Sequence, residues 1–272
     1  MKPLLHMTHR KADPDSFAGV LWGVKVFGGY SLIDNPDLPT RNLIEFLKFR
    51  ENFSWNHKLV IIYDTNRSSA LPFRPERFII IDHHDSVEEE LLLEAERVIK
   101  KPRASLSMNL YDISKECGVS LPEDVLFSFA VALTIDTAFL RTARSEELEY
   151  LSYFLNGRRM EDVYRVVLKG KIKNLRKFIE DLKSLEILDK ERRICLLRFS
   201  EDDHFFFFVD TFMYSLDCEI VVGKMDWGTW VYSIKELTSK VFSIAKRLGG
   251  KGIGKIPNFH NVQKLIEMLK NL

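Results

Sequence analysis

The sequence carries almost no net charge, few cysteines and no long apolar run. With 40 Lys and Arg against 39 Asp and Glu, the formal charge is +1. No global field therefore draws the chain onto nucleic acid or an anionic membrane, and any polyanion has to be met by a local basic patch. The three cysteines, Cys117, Cys195 and Cys218, are far apart and in no CxxC spacing. That argues against a disulfide framework and against a thiolate zinc site, and it fits a reducing cytoplasm. No segment approaches the ~20 consecutive apolar residues of a membrane span, so a soluble protein with no membrane partner is expected. The first residues, MKPLLHMTHRKADPD, read as a buried strand followed by charge and not as a signal peptide.

What is present is enough apolar material, 46% of 272 residues, for two domains with separate cores. Apolar runs at 4–7, 59–63 and 78–81 are too short for helices and end in polar residues, as fully buried strands do. Helical spacing at 16–24, a strand around 30–33 and a helix over about 41–50 alternate with them. The alternation predicts an α/β fold: an open, mainly parallel sheet with helices on both faces. Helices are expected at 88–97, 106–117, 123–133, 146–155 and 161–168, closing a first domain over 1–170. Residues 171–188 read as an amphipathic connecting helix. A smaller mixed α/β domain over 189–272 should then contain strands at 195–199, 205–209, 219–223 and 229–234, and helices at 239–248 and 262–269.

The chemistry lies where these strands end. His9, Asp13 and Asp15 follow the first, Asp64 caps the third, and Asp82, His83 and His84 cap the fourth. In an open parallel sheet the crevice outside the carboxyl ends of the strands binds ligands, so the loops converge and crowd carboxylates against imidazoles. Such a set has to protonate or be neutralised by cations, and mixed carboxylate and imidazole donors suit manganese, magnesium, zinc or iron better than calcium. Asp136, in VALTIDTAFL, follows a buried helix and needs a partner as well.

The stretches HRKADPDSFAG at 9–19, YDTN at 63–66, IDHHDS at 81–86 and TIDTAF at 134–139 resemble, in order, the four motifs of the DHH phosphoesterase superfamily. That superfamily includes single-strand exonucleases, nanoRNases, cyclic-dinucleotide phosphodiesterases and manganese pyrophosphatases. The resemblance covers about the first 140 residues. It implies that His9, Asp13 and Asp64 hold one divalent ion, and that Asp15, Asp64, His83 and Asp136 hold a second, with Asp64 bridging. Manganese is the expected metal, with magnesium as the alternative. His84 would face the substrate phosphate, with Asp64 and His84 as the catalytic pair, and Asp82 would support the loop from behind the ligands.

The C-terminal part is similar, more loosely, to the DHHA1 substrate-binding domain, in which a strand arginine and a GGGH-type loop grip the far phosphate. Here the strand reads WVYSIKEL, with Lys235 in the arginine's place, and the loop reads GGKGIGK, with Ile253 where the histidine would fall. Gly249, Gly250, Lys251 and Gly252 are thus candidate phosphate contacts, although a plain turn explains the glycines as well. Trp227 and Trp230, three apart on a strand, should point to opposite faces, leaving one in the core and Trp230 as the candidate base-stacking residue. His6, His57, His204 and His260 read as ordinary core or surface histidines.

The resemblance therefore implies a manganese-dependent 3′ to 5′ exonuclease on single-stranded DNA or RNA, with substrate in a cleft between domains. It also implies a homo-oligomer and a helicase or other repair or replication protein as partner. The alternatives are a phosphodiesterase for cyclic dinucleotides or short oligonucleotides, and a non-catalytic scaffold. Because no ligand of the set is missing, the scaffold reading has less to recommend it.

Overall fold

The computed structural model describes residues 3–189, 193–250 and 254–272. The chain divides into two compact units, Met1–Lys169 and Gly170–Leu272.

The first unit is built on five parallel strands, β1 (Leu4–Met7), β2 (Tyr30–Leu32), β3 (Leu59–Tyr63), β4 (Phe78–Asp82) and β5 (Arg97–Lys100), in the order β2-β1-β3-β4-β5. Alternate residues face opposite sides. Leu5, Met7, Val60, Ile62, Phe78 and Ile80 form one apolar layer, while Ile61, Tyr63 and Ile81 join the larger core on the other face. Both faces being buried explains why these strands read as uninterrupted apolar runs. The large core is closed by α1 (Pro14–Phe27), α2 (Leu38–Leu47), α4 (Leu106–Glu116), α5 (Glu123–Asp136), α6 (Ser145–Leu155) and α7 (Met160–Leu168). On the opposite face, among the described residues, only the short α3 (Glu89–Glu94) contributes a helix, through buried Leu91.

Helix α1 lies directly on the sheet because two glycines on one side of it carry no side chain. A Cβ on Gly19 would fall 2.6 Å from the Tyr63 ring, and one on Gly23 would collide with the His6 ring and the Tyr63 hydroxyl. The helix is started by Asp13, whose Oδ1 accepts from the amide of Ser16 at 2.9 Å, followed by Pro14 in the first turn. This cap fixes the end of α1 against the carboxyl edge of the sheet.

One expectation for this unit changes. β5 occupies 97–100, where the helix expected over 88–97 ends early. Its sequence, RVIK, pairs on one side only and keeps polar ends, so it lacks the apolar signal of a central strand.

The second unit holds a mixed sheet in the order β10-β9-β8-β7-β6, formed by β6 (Glu186–Asp189), β7 (Ile194–Arg198), β8 (Ile220–Met225), β9 (Gly228–Ser233) and β10 (Lys255–Pro257). Among the described residues only β7 and β8 are parallel. One face packs on α10 (Thr238–Arg247) and α11 (Val262–Lys270), and the other on the aromatic α9 (Asp202–Thr211) with Leu182 of α8 (Leu175–Leu182). The connecting helix expected over 171–188 is thus limited to α8, and its last residues turn into β6. The strand expected at 205–209 is helical. Asp202 and Asp203 open α9 with charge suited to a helix N-terminus, and Phe205, Phe208 and Val209 share a buried face at helical spacing.

The cysteine expectation is also corrected. Cys195 on β7 and Cys218 just before β8 are joined by a disulfide, their Cα atoms 6.0 Å apart. Parallel pairing of β7 with β8 brings together two residues that their separation in sequence does not relate. Cys117 is free and exposed. Among the described residues no helix is long and apolar enough to cross a membrane.

Candidate metal centre

The strand order reverses between β1 and β3, since the chain passes from β1 to β2 on one side and returns to β3 on the other. Ligands bind at such switch points, because the connections leave the sheet in opposite directions and open a crevice. His9 follows β1 there and Asp64 follows β3. Asp64 takes a left-handed backbone, φ 55°, while its amide still donates to the Ile81 carbonyl at 3.0 Å. A left-handed aspartate directly after a strand turns its carboxylate back over the strand ends.

Around it the predicted ligands assemble. Nε2 of His9 is 3.5 Å from Oδ2 of Asp13 and 3.8 Å from Oδ2 of Asp64. Nε2 of His83 is 3.1 Å from Oδ1 of Asp64 and 3.5 Å from Oδ2 of Asp15. Three groups of donor atoms each lie within 4.8 Å: His9, Asp13 and Asp64; Asp15, His83 and Asp136; and Asp64, His83 and His84. Asp64 and His83 each belong to two of them.

His9, His83 and Asp15 are each oriented from behind. His9 and His83 donate their Nδ1 protons to the carbonyls of Arg10 and Arg103, at 2.7 and 2.9 Å, which leaves both Nε2 atoms facing the carboxylates. Asp15 is fully enclosed at the N-terminus of α4. It accepts from the Ser105 hydroxyl at 2.8 Å and from the amides of Leu106 and Ser107 at 2.6 and 3.1 Å. His84 donates Nδ1–H to Oδ1 of buried Asp82 at 2.8 Å, and the Asn109 carboxamide donates to the Asp82 carbonyl. Ser105 and Ser107 were missed in the sequence. A serine just before the helical pattern at 106–117 is an N-cap signal, but nothing in the spacing says that the helix end receives Asp15.

The electrostatics show a centre short of positive charge. Burial opposes the charged form of His9, yet Asp13 and Asp64 outweigh it and raise the ring to about 11. Burial likewise opposes protonation of His83, and Asp64 with Asp15 raises it to about 10. Asp82 holds the His84 ring above its ordinary value. Burial would raise Asp64, but His83 and His9 keep it well below the usual carboxylate range. Burial, then Asp64, pushes Asp15 up to about 6. Burial, then Asp15, Asp13 and Asp64, push Asp136 well above the carboxylate range. Its side chain is exposed, so the repulsion of the three neighbouring carboxylates outweighs burial there.

The donor set fits divalent cations. Oδ1 of Asp64 is buried, makes no well-aligned hydrogen bond among the described residues and has the His83 ring 3.1 Å away as its partner; a cation would supply the positive charge once that ring loses its proton. Two imidazole Nε2 atoms and several carboxylates surround it, the donor chemistry of manganese, magnesium, iron or zinc sites.

The residues proposed from the DHHA1 likeness all belong to the second unit. Lys235 is exposed and lies in a 3₁₀ turn after β9, not on the strand. Gly249 and Gly250 end α10, donating their amides to the carbonyls of Lys246 and Ala245 at 3.1 and 2.8 Å, so both N–H groups already have acceptors. Lys251, Gly252 and Ile253 lie outside the described residues. Trp230 is buried and stacked on Phe205. Trp227 and Trp230 do not point apart, because Trp227 sits in the turn before β9 and escapes the strand's alternation. Their rings meet edge to face at 5.8 Å, both indole N–H groups donate to Oδ1 of Asp202, and the Lys255 ammonium lies 4.1 Å from the Trp227 ring centroid.

No protein-family model matches the sequence. No curated protein matches it. Solved structures do. An exopolyphosphatase-related protein from Bacteroides fragilis superposes with a TM-score of 0.72 at 13% identity, over 99% of this chain and 91% of that one. The DHH domain of a member of a family of ribosomal proteins superposes with a TM-score of 0.55 at 11% identity, over 99% of this chain and 86% of that one. The chain has the DHH fold. RecJ from Thermus thermophilus, in complex with Mn2+, gives a TM-score of 0.53 at 11% identity; this chain spans 52% of its length. The DHH fold thus extends the resemblance carried by the four motifs to the architecture of nearly the whole chain.

Proposed function

We propose that the chain is a phosphodiesterase that uses two divalent cations, manganese foremost, to release nucleotides from the 3′ end of single-stranded DNA or RNA. The observation that carries this reading is the position of Asp64 between two donor groups, His9 with Asp13 on one side and His83 on the other. His9, Asp13 and Asp64 would hold one ion, and Asp15, Asp64, His83 and Asp136 the second. Paired ions supply a nucleophilic hydroxide near neutral pH and balance charge on the attacking and leaving oxygens.

The chain's own groups do the rest. The carbonyls of Arg10 and Arg103 fix which nitrogen His9 and His83 present, so neither ring has to reorganise when a ligand arrives. Asp82 orients His84 and raises its affinity for a proton, and Nε2 would donate to a non-bridging phosphate oxygen. A homo-oligomer and a helicase or repair partner complete the reading on the family resemblance alone, whereas the cytoplasmic setting expected from unpaired cysteines loses its support with the Cys195–Cys218 disulfide.

The cavity beside the centre, about 290 Å³, supports a second reading in which very short oligonucleotides or cyclic dinucleotides are preferred. One experiment separates the two. A 5′-labelled single-stranded oligonucleotide is incubated with Mn2+ and either wild-type protein or Asp64→Ala. A ladder that shortens from the 3′ end, absent in the variant, is expected. Immediate release of the labelled nucleotide reverses the polarity, and faster cleavage of dinucleotides than of long strands selects the second reading. Survival of every phosphodiester offered overturns both.

A further inference from the structure

The cavity beside the metal centre takes His9, Asp13, Asp64 and His84 into its wall, together with the loop that follows Asp64. Among the described residues of the lining, Arg67, on that loop, is the sole permanently charged cation. Its guanidinium is exposed and forms no ion pair or side-chain hydrogen bond among the described residues, although Asp13 and Asp64 line the same space. Its charge reaches the Glu88 carboxylate without a hydrogen bond, so its donors are kept for something else.

The loop that carries it is held firmly. The Glu88 amide donates to the Asn66 carbonyl at 2.9 Å, and Oε2 of Glu88 accepts from the Ser68 amide at 2.6 Å, so one residue clasps the backbone on both sides of Arg67. At the far end of the loop the Arg10 amide donates to Ala70 and its Nη2 donates to the Pro72 carbonyl. These bonds join the Arg67 loop to the loop of His9 and to the segment after His84. The anchored backbone spares a bound anion the cost of ordering the loop, and the planar guanidinium fork matches phosphate oxygens in pairs.

We propose that Arg67 is a specificity-determining residue that binds the phosphate next to the one being cleaved, on a loop for which Glu88 is the positioning residue. The centre then prefers substrates with two consecutive phosphates over an isolated diester. This rests on the phosphodiesterase reading above. Because Arg67 keeps apart from the clustered carboxylates, its contribution falls on substrate binding and not on the reacting phosphate, so its removal should raise KM and leave kcat.

The test compares wild-type protein, Arg67→Ala, Arg67→Lys, Glu88→Ala and Glu88→Gln on two substrates with Mn2+. One is a 5′-phosphorylated adenylyl dinucleotide, which carries two phosphates, and the other is bis(p-nitrophenyl) phosphate, which carries one. Arg67→Ala is expected to raise KM for the dinucleotide about 10-fold or more, with kcat and the one-phosphate substrate little changed. Arg67→Lys should recover part of the loss. Glu88→Ala should follow Arg67→Ala, and Glu88→Gln, which retains an acceptor for Ser68, should restore it. An unchanged KM in Arg67→Ala, or an equal rise on both substrates, overturns the proposal. If wild-type protein cleaves neither, the phosphodiesterase reading fails. Calorimetric binding of the same dinucleotide then decides on Arg67: equal affinity in wild type and Arg67→Ala removes it, and about 10-fold weaker binding keeps it as an anion-binding residue.

Discussion

Oδ1 of Asp64 lies 3.1 Å from Nε2 of His83, while its other carboxylate oxygen lies 3.8 Å from Nε2 of His9. One side chain, itself following β3, thus joins donors that arrive after β1 and β4. The geometry depends on the left-handed turn at Asp64 and on the short approach of α1 to the sheet, which sets Asp13 and Asp15 opposite it. Fold and site are coupled here: a bulkier residue at Gly19 would push α1, and two carboxylates with it, away from the strand ends.

Proton release should accompany metal uptake. His9 and His83, raised to about 11 and about 10, hold their protons at neutral pH in the metal-free centre. Both must lose them to bind a cation, and Asp136, pushed well above the carboxylate range, adds to the release, so affinity should rise with pH between about 6 and 9, with at least two protons released per chain. Calorimetry of Mn2+ binding in two buffers of different ionisation enthalpy reads this number. Heats that do not depend on the buffer would contradict it.

A separate pH effect comes from His6. Its ring is buried, Nε2–H donates to the Gly28 carbonyl at 3.0 Å, and Nδ1 accepts from the Tyr63 hydroxyl at 2.8 Å. Burial lowers its pKa to about 4. The folded state therefore prefers the neutral ring, while the unfolded chain takes up a proton near 6.5. The resulting stability is complete above about pH 6.5 and is lost as pH falls toward 4, amounting to about 2 kcal/mol between pH 7.5 and 5. Urea unfolding of wild type and His6→Gln at both pH values isolates the effect. A variant whose stability falls with pH as steeply as wild type would refute it.

How far the sequence foretold these features depends on the kind of signal. β1, β3 and β4 were readable because each is a short apolar run closed by His or Asp, and the order of the four motifs foretold the grouping of His9, Asp13, Asp15, Asp64, His83 and Asp136. β5 was not, because an edge strand with Arg97 and Lys100 at its ends looks like the close of a charged helix. The phenylalanine run at 205–208 fits strand and helix equally, and Glu201, Asp202 and Asp203 before it were the overlooked helix signal. Trp227 was misjudged through the assumption that it lay on the strand. The pairing of Cys195 with Cys218 follows from strand register, which spacing in sequence does not encode.

That disulfide should stabilise the second unit. Closing a loop across a separation of 23 residues restricts the unfolded chain by about 3 kcal/mol. Cys195→Ala with Cys218→Ala should lower the denaturation midpoint of the full chain, and dithiothreitol should do the same to wild type only. Wild type insensitive to dithiothreitol under unfolding conditions would show that the bond contributes nothing.

The most direct test of the central claim is a count of Mn2+ ions bound per chain, by equilibrium dialysis after chelation, in wild type, Asp13→Ala, Asp136→Ala and Asp64→Ala. Two ions are expected in wild type. Loss of one is expected in each of the first two variants, and weakening of both in Asp64→Ala, because its oxygens face both donor groups. A wild-type protein that binds no Mn2+, or an Asp64→Ala variant that binds two ions unimpaired, would contradict the account.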